Sequence, residues 1–230
     1  MLTPPLNIDY WASLYPVYTD YADQYEDAMD ACTVKSRARQ LWDWKGLNRN
    51  GPFDPVESVI EQLDWGDCLS EDPNDEDRKA AIETVSTELQ NAGVVTTKSL
   101  VTSAFLLHLA ASEDNYSKEY PIYDRRVWNA YVYLWGVRDT DQQLFTQASQ
   151  DTTKYANFCR GFSDTCPDGK AQKYERALFM FGRFIANLPS EESPTPIEKI
   201  DDYLETQERA LASKHDEAGY ILVDIEGRKR

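Results

Sequence analysis

The feature that most constrains the fold is the spacing of apolar residues, which recur every three to four positions along much of the chain. This period is typical of amphipathic helices, and it predicts helices at residues 75–92, 125–135 and 170–188. Residues 97–112 are apolar on almost every side, as expected for a helix in the centre of a domain. The sequence therefore predicts an all-α fold.

The chain has neither an internal repeat nor a segment biased enough to serve as a domain linker. Its 230 residues are enough for one domain with a full-sized core. We therefore expect a single domain over residues 1–230. Pro196 is expected to open a last, charged helix that runs to about Ser213, and residues 220–225 are the one segment with the composition of a strand.

The composition is that of an ordinary globular protein, with 41% apolar and 12% aromatic residues. No apolar run reaches the roughly 18 residues that a membrane-spanning helix needs. The first residues lack a basic start followed by an apolar stretch, so we expect no secretion signal. These features predict a cytoplasmic protein with no membrane partner.

The cysteines do not form the pattern of a disulfide framework. Cys159 and Cys166 have six residues between them, which is the first half of a four-cysteine cluster-binding pattern, but no cysteine follows Cys166. The two histidines, His108 and His215, are far apart in sequence and give little support for zinc. We expect free thiols, no metal and no cofactor.

The formal net charge of −16 argues against broad nucleic-acid binding, because contacts to phosphate need local positive charge. The charge is uneven, however. Residues 54–77 have ten carboxylates and no basic residue, whereas residues 35–49 have five basic residues and one aspartate. The acidic segment is interpreted as a solvated surface, with a protein-partner site or a cover over a basic groove as the alternatives.

A lysine and an aspartate lie near the starts of two successive predicted helices. Gly93 suits a left-handed cap after the helix at 75–92, and Thr96 suits the N-cap of the next helix. Lys98 would then lie in the first turn of that helix, where the helix dipole and partial burial favour the neutral amine. A neutral amine is what a nucleophile requires. Asp124 precedes the helix at 125–135 as its N-cap.

This arrangement resembles the helix-hairpin-helix DNA glycosylases, in particular the 8-oxoguanine DNA glycosylase fold. Those proteins have a hairpin of the type Gly-Val-Gly-x-Lys, an apolar helix, and then Pro-Val-Asp-x-x-Val. In this chain Gly93 to Lys98 reads Gly-Val-Val-Thr-Thr-Lys, and Pro121 to Val127 reads Pro-Ile-Tyr-Asp-Arg-Arg-Val. The resemblance covers residues 75–129, with the helix-hairpin-helix at about 75–112. The second hairpin glycine is replaced by Val95, and the Lys–Asp spacing is longer than usual in the family.

The resemblance implies roles for individual residues. Lys98 would attack the sugar C1′ and Asp124 would assist, while Thr102, one helical turn after the lysine, would face the base pocket. The hairpin would contact DNA through Gly93, Val94, Val95, Thr96 and Thr97. Arg125 and Arg126 would reach the strand near the modified base.

Several aromatic and basic residues are further candidates. Trp42 and Trp44 lie among basic residues, as in surfaces that stack bases, so we assign both to the base pocket, although a solvated helix face explains this pattern equally well. The N-terminal aromatic run from Tyr10 to Tyr25 is expected to pack on the core. A second phosphate-contacting surface is predicted from a basic stripe: Lys170, Lys173, Arg176 and Arg183. His108 is expected to be a hydrogen-bonded core residue.

The sequence thus predicts a DNA glycosylase, with or without AP-lyase activity, that acts on a base flipped out of duplex DNA or on a single strand. The alternative is a binding module that keeps the fold without efficient chemistry and recognises DNA or a protein partner. A structural helical protein with a chance motif match is the third possibility.

Overall fold

The computed structural model describes residues 6, 8–15, 22–48, 51–96, 99–112, 118–135 and 147–186. Within these ranges the chain forms ten helices and no strand, so the predicted all-α class is confirmed for this part of the protein. None of these helices is long and apolar enough to cross a membrane. The predicted last helix from Pro196 and the predicted strand at 220–225 lie outside the described residues.

The first five helices are short. They are α1 (Ile8–Ser13), α2 (Ala22–Met29), α3 (Val34–Leu41), α4 (Asp54–Gln62) and α5 (Trp65–Cys68). The longer helices follow. They are α6 (Asp75–Asn91), α7 (Leu100–Ala111), α8 (Arg125–Leu134), α9 (Thr152–Thr165) and α10 (Ala171–Ala186).

The starts of three long helices follow from local capping. Asn74 caps α6 in a capping box with Asp77, Asp124 caps α8, and Asp151 caps α9, each with a side-chain oxygen that accepts hydrogen bonds from the first-turn amides. As a result, α6 and α8 lie within one residue of their predicted bounds.

The chain divides into two compact units. Unit 1 comprises Met1–Tyr15, Asp124–Ala148 and Lys173–Arg230, and unit 2 comprises Pro16–Tyr123 and Ser149–Gln172. Each unit is therefore assembled from segments that are separated in sequence. The single domain over residues 1–230 stays a prediction.

The core of unit 2 is built around α7. All of its residues except the half-buried Val101 are buried, which confirms the central position predicted from its apolar surface. It packs against α3 and α6, and α6 also packs against α9. A helix that is apolar all round is stable in water only when other helices cover it, so α7 organises this unit.

Unit 1 contains α1, α8 and most of α10. Trp11 of α1 meets Phe181 of α10 edge to face, with 5.3 Å between ring centroids. The helices α8 and α10 are close together at Gly182, where an added Cβ would overlap the carbonyl of Arg126. The predicted packing of the N-terminal aromatics is confirmed for Trp11, Tyr15 and Tyr25, which are buried, whereas Tyr10 is 45% exposed.

We expect Gly182→Ala to lower the free energy of unfolding by about 1–3 kcal/mol, because the new methyl group forces the two backbones apart. Helix propensity alone would stabilise the alanine variant by about 1 kcal/mol. A decrease in the free energy of unfolding can therefore be attributed to the overlap of the new methyl group with the Arg126 carbonyl. Urea unfolding followed by circular dichroism measures the change. Unchanged or increased stability would contradict the close helix crossing.

Candidate functional site

The turn after α6 is a Schellman motif, in agreement with the predicted cap at Gly93. Gly93 has φ +70°, and its N–H donates to the carbonyl of Gln90 at 2.9 Å. The N–H of Val94 donates to the carbonyl of Leu89, also at 2.9 Å, and both of these side chains are buried. The turn is therefore fixed by two backbone hydrogen bonds and by apolar burial on either side of the glycine.

The prediction that Thr96 caps the next helix is wrong. α7 begins at Leu100, and its N-cap Ser99 forms no side-chain capping bond. Instead, the Leu100 N–H donates at 2.9 Å to Oε1 of Gln150, a residue that lies next to α9 in the sequence. A side chain 50 residues away in sequence thus accepts a hydrogen bond from the first amide of α7.

The predicted nucleophile Lys98 and the hairpin residue Thr97 lie outside the described residues. Around them, Gly93 and Thr96 are exposed and Val95 is half-buried. Contacts between this hairpin and DNA stay a prediction.

The three predicted base-pocket residues all lie in unit 2, with different degrees of exposure. Thr102 is 1% exposed, and its hydroxyl lies 2.9 Å from that of Ser99. Trp42 is 3% exposed and packs edge to face on Phe53. Trp44 is half-buried and packs against Tyr25 at 5.3 Å between ring centroids. Of these three residues, Trp44 is the most exposed.

Asp124 is the half-buried N-cap of α8. Its Oδ1 accepts hydrogen bonds from the N–H groups of Arg126 at 2.8 Å and Val127 at 3.0 Å. The preceding Tyr123 is fully buried, and its hydroxyl donates to the carbonyl of Ser149 at 3.0 Å. The carboxylate is therefore held in one orientation by the start of a helix, which is the kind of fixed acceptor that catalysis requires.

Two arginines follow Asp124 directly. Arg125 is exposed, and Arg126 is half-buried with its guanidinium 4.9 Å from the centroid of the Phe179 ring. Both belong to unit 1, as does Asp124.

The basic residues of α3 are engaged within unit 2. Lys35 donates to Glu61 at 2.7 Å and lies 3.3 Å from Glu57. Arg39 pairs with Glu57 and lies over the Phe53 ring. Arg37 is buried and donates to the carbonyls of Ala31 and Leu109. The positive charge of α3 is thus partly neutralised by α4, although most carboxylates of residues 54–77 are exposed as expected.

His108 is the hydrogen-bonded core residue that the sequence predicts. It is 1% exposed, with Nε2 2.7 Å from the Tyr25 hydroxyl and Nδ1 3.1 Å from the Tyr120 carbonyl oxygen. Burial lowers its pKa from 6.5 to about 3. The side chain is therefore neutral at physiological pH and serves the core.

We expect the buried imidazole to make stability depend on pH. Since its pKa is lower in the folded state, its contribution is complete above about pH 6.5 and is lost as the pH falls toward 3. The free energy of unfolding should decrease by about 1.5–2 kcal/mol between pH 6.5 and pH 5. Urea unfolding over this range measures the slope, which should be smaller in His108→Gln. Equal slopes in the two proteins would contradict a buried neutral histidine.

A polar cavity of about 490 Å³ lies between the start of α6 and α9. It contains a buried ion pair, in which Nη2 of Arg78 donates to Oε2 of Glu119 at 2.5 Å. The Ser163 hydroxyl donates to the other oxygen of Glu119 at 2.6 Å. No sequence pattern predicts this cluster, because its members lie far apart in the chain. Among the described residues no group of His, Cys, Asp and Glu is arranged to hold a metal ion.

Comparison of the chain with protein-family models, with curated proteins and with solved structures gives no match.

Proposed function

We propose that this protein is a DNA glycosylase, with or without AP-lyase activity, that removes a modified base flipped out of the DNA stack. The observation that carries the proposal is the oriented carboxylate of Asp124. It follows a pair of helices joined by a Schellman turn at Gly93, in the order in which the resembling family places its hairpin and its aspartate. The sequence match at Lys98 supplies the nucleophile.

The chemistry requires an amine and a nearby negative charge. In the proposed reaction the Lys98 amine forms a bond to C1′ as the glycosidic bond breaks, and the base leaves with the bonding electrons and takes up a proton. Opening of the sugar ring gives a Schiff base between Lys98 and C1′. Loss of a C2′ proton and of the 3′ phosphate then completes the lyase step. Asp124 stabilises the positive charge that develops at C1′.

Borohydride trapping tests this proposal, because reduction of the Schiff base links the protein covalently to DNA. The substrates are duplexes and single strands with 8-oxoguanine, uracil, an abasic site or undamaged bases. We expect an adduct on one or more of them that is absent in Lys98→Gln. The control is Lys79→Gln, which removes a half-buried lysine of α6 that pairs with the exposed Glu76, and it should keep the adduct.

Base release is measured in the same reactions. Release without an adduct would indicate a glycosylase that lacks the lyase step. The absence of both from every substrate would overturn the enzymatic proposal.

The second candidate is a binding module that keeps this fold without efficient chemistry. The ion pairs of Lys35 and Arg39 with α4 favour it, because they reduce the positive charge available to DNA in unit 2. The exposed carboxylates of residues 54–77 would then meet a basic protein partner. DNA binding without base release would support DNA recognition, and the loss of both would direct the search to a protein partner.

A further inference from the structure

The described charges are distributed unequally between the two units. Unit 2 has ten basic and twenty-one acidic side chains in its described residues, whereas unit 1 has five basic and three acidic ones. Over its whole sequence unit 1 has twelve basic and sixteen acidic residues, so the positive charge is local to the segment around Arg125 and Arg126 and is not a property of the unit. Contacts to phosphate need such local positive charge.

The arginines of unit 1 are ordered by aromatic rings. The guanidinium of Arg126 lies over Phe179, the Phe179 ring meets Tyr15 edge to face at 5.8 Å, and the guanidinium of Arg176 lies 5.3 Å from the Tyr15 centroid. These four side chains form a cation–aromatic ladder across α8, α10 and the end of the N-terminal segment. Tyr15 is buried, and the other three are half-buried.

This ladder has the chemistry of a nucleic-acid surface. A guanidinium that stacks on a ring is held in place while the N–H groups at its edge can still meet a phosphate, as for the half-buried Arg126, whereas Nε of Arg176 is buried. Arg125, the neighbour of Arg126, is exposed and forms no ion pair within the described part of the chain. Surfaces that bind nucleic-acid strands combine aromatic and basic side chains in this way.

We propose that Arg125 and Arg126, the latter held over the Phe179 ring, bind the phosphodiester backbone of the DNA strand. The inference rests on the proposed function and refines it, since these arginines begin the helix that Asp124 caps. It assigns strand binding to unit 1. Lys35 and Arg39 of α3 in unit 2, which are paired with α4, contribute little.

Fluorescence anisotropy with a fluorescein-labelled duplex and the matching single strand, titrated with salt, tests this assignment. We expect Arg125→Gln/Arg126→Gln to weaken binding about 10- to 100-fold and to reduce the slope of log affinity against log salt by about 2, at roughly 0.9 per phosphate contact. The charge-retaining pair Arg125→Lys/Arg126→Lys should keep most of the slope. The control Lys35→Gln/Arg39→Gln should bind within about twofold of wild type.

Binding of the glutamine pair with unchanged affinity and slope would overturn the assignment, as would an equal loss in the control. Thermal unfolding of each variant separates lost binding from lost folding. Borohydride trapping at saturating DNA keeps the two proposals apart. An adduct that persists while the arginine pair has no effect on binding leaves the glycosylase in place and refutes only the binding surface. If neither the duplex nor the single strand binds, the binding surface is refuted directly.

Discussion

We expect Asp124→Asn to slow base release by about two to three orders of magnitude and to leave the thermal unfolding midpoint close to that of wild type. Asparagine is as good an N-cap as aspartate, so the hydrogen bonds to Arg126 N–H and Val127 N–H are kept. The negative charge is lost, and preorganised charge of this kind typically contributes about 10²–10³ to the rate. Single-turnover base release on the substrate found by trapping measures the effect.

Two further variants separate capping from chemistry. Asp124→Ala removes both the cap and the charge, so it should lower base release and also cost about 1 kcal/mol of stability. Asp151→Asn makes the same change at the N-cap of α9, where Oδ1 accepts from Thr153 N–H at 2.8 Å, and should leave base release unchanged. Full base-release activity of Asp124→Asn would show that Asp124 serves only as the N-cap of α8.

The largest expected loss of stability comes from the buried pair of Arg78 and Glu119, whose side chains are only 5% and 7% exposed. Arg78→Met leaves the Glu119 carboxylate buried with the Ser163 hydroxyl and without its close cationic partner. Breaking such a pair costs about 3–5 kcal/mol, because the remaining charge is buried and, among the described residues, the nearest cation left to it is Lys118, with Nζ 3.9 Å from Oε1 of Glu119. Urea unfolding of the single variant measures this cost.

The double variant Arg78→Met/Glu119→Leu is expected to recover most of the loss, since no buried charge remains. The control is Lys79→Met, one residue further along α6, which removes the exposed ion pair with Glu76 and should leave stability near wild type. If Arg78→Met unfolded at the same urea concentration as Lys79→Met, the buried pair would have no structural importance.

This pair also affects the candidate site. Arg78 lies in α6, the helix that ends in the Gly93 turn, and its partner Glu119 is joined to α9 through Ser163. The pair therefore links the start of α6 to α9 within unit 2. A loss of base release in Arg78→Met that the double variant restores would indicate this positioning role.

The sequence by itself determined the features that depend on local hydrogen bonds, namely three helix starts and one turn. The caps at Asn74, Asp124 and Asp151 and the turn at Gly93 involve atoms within a few residues of one another, so composition and spacing specify them. The all-apolar surface of α7 likewise required a central position, because any other would leave it in water.

Only the tertiary structure decided which helices pack together. It therefore also decided every hydrogen bond, ion pair and core contact between residues that are distant in sequence. Gln150 accepts a hydrogen bond from the first amide of α7, α4 pairs with Lys35 and Arg39 of α3, and Trp42 lies in the core. Three separated segments supplied the arginines and rings of unit 1. Such contacts depend on the packing of whole helix faces, and a pattern of a few neighbouring residues has no information about its distant partners.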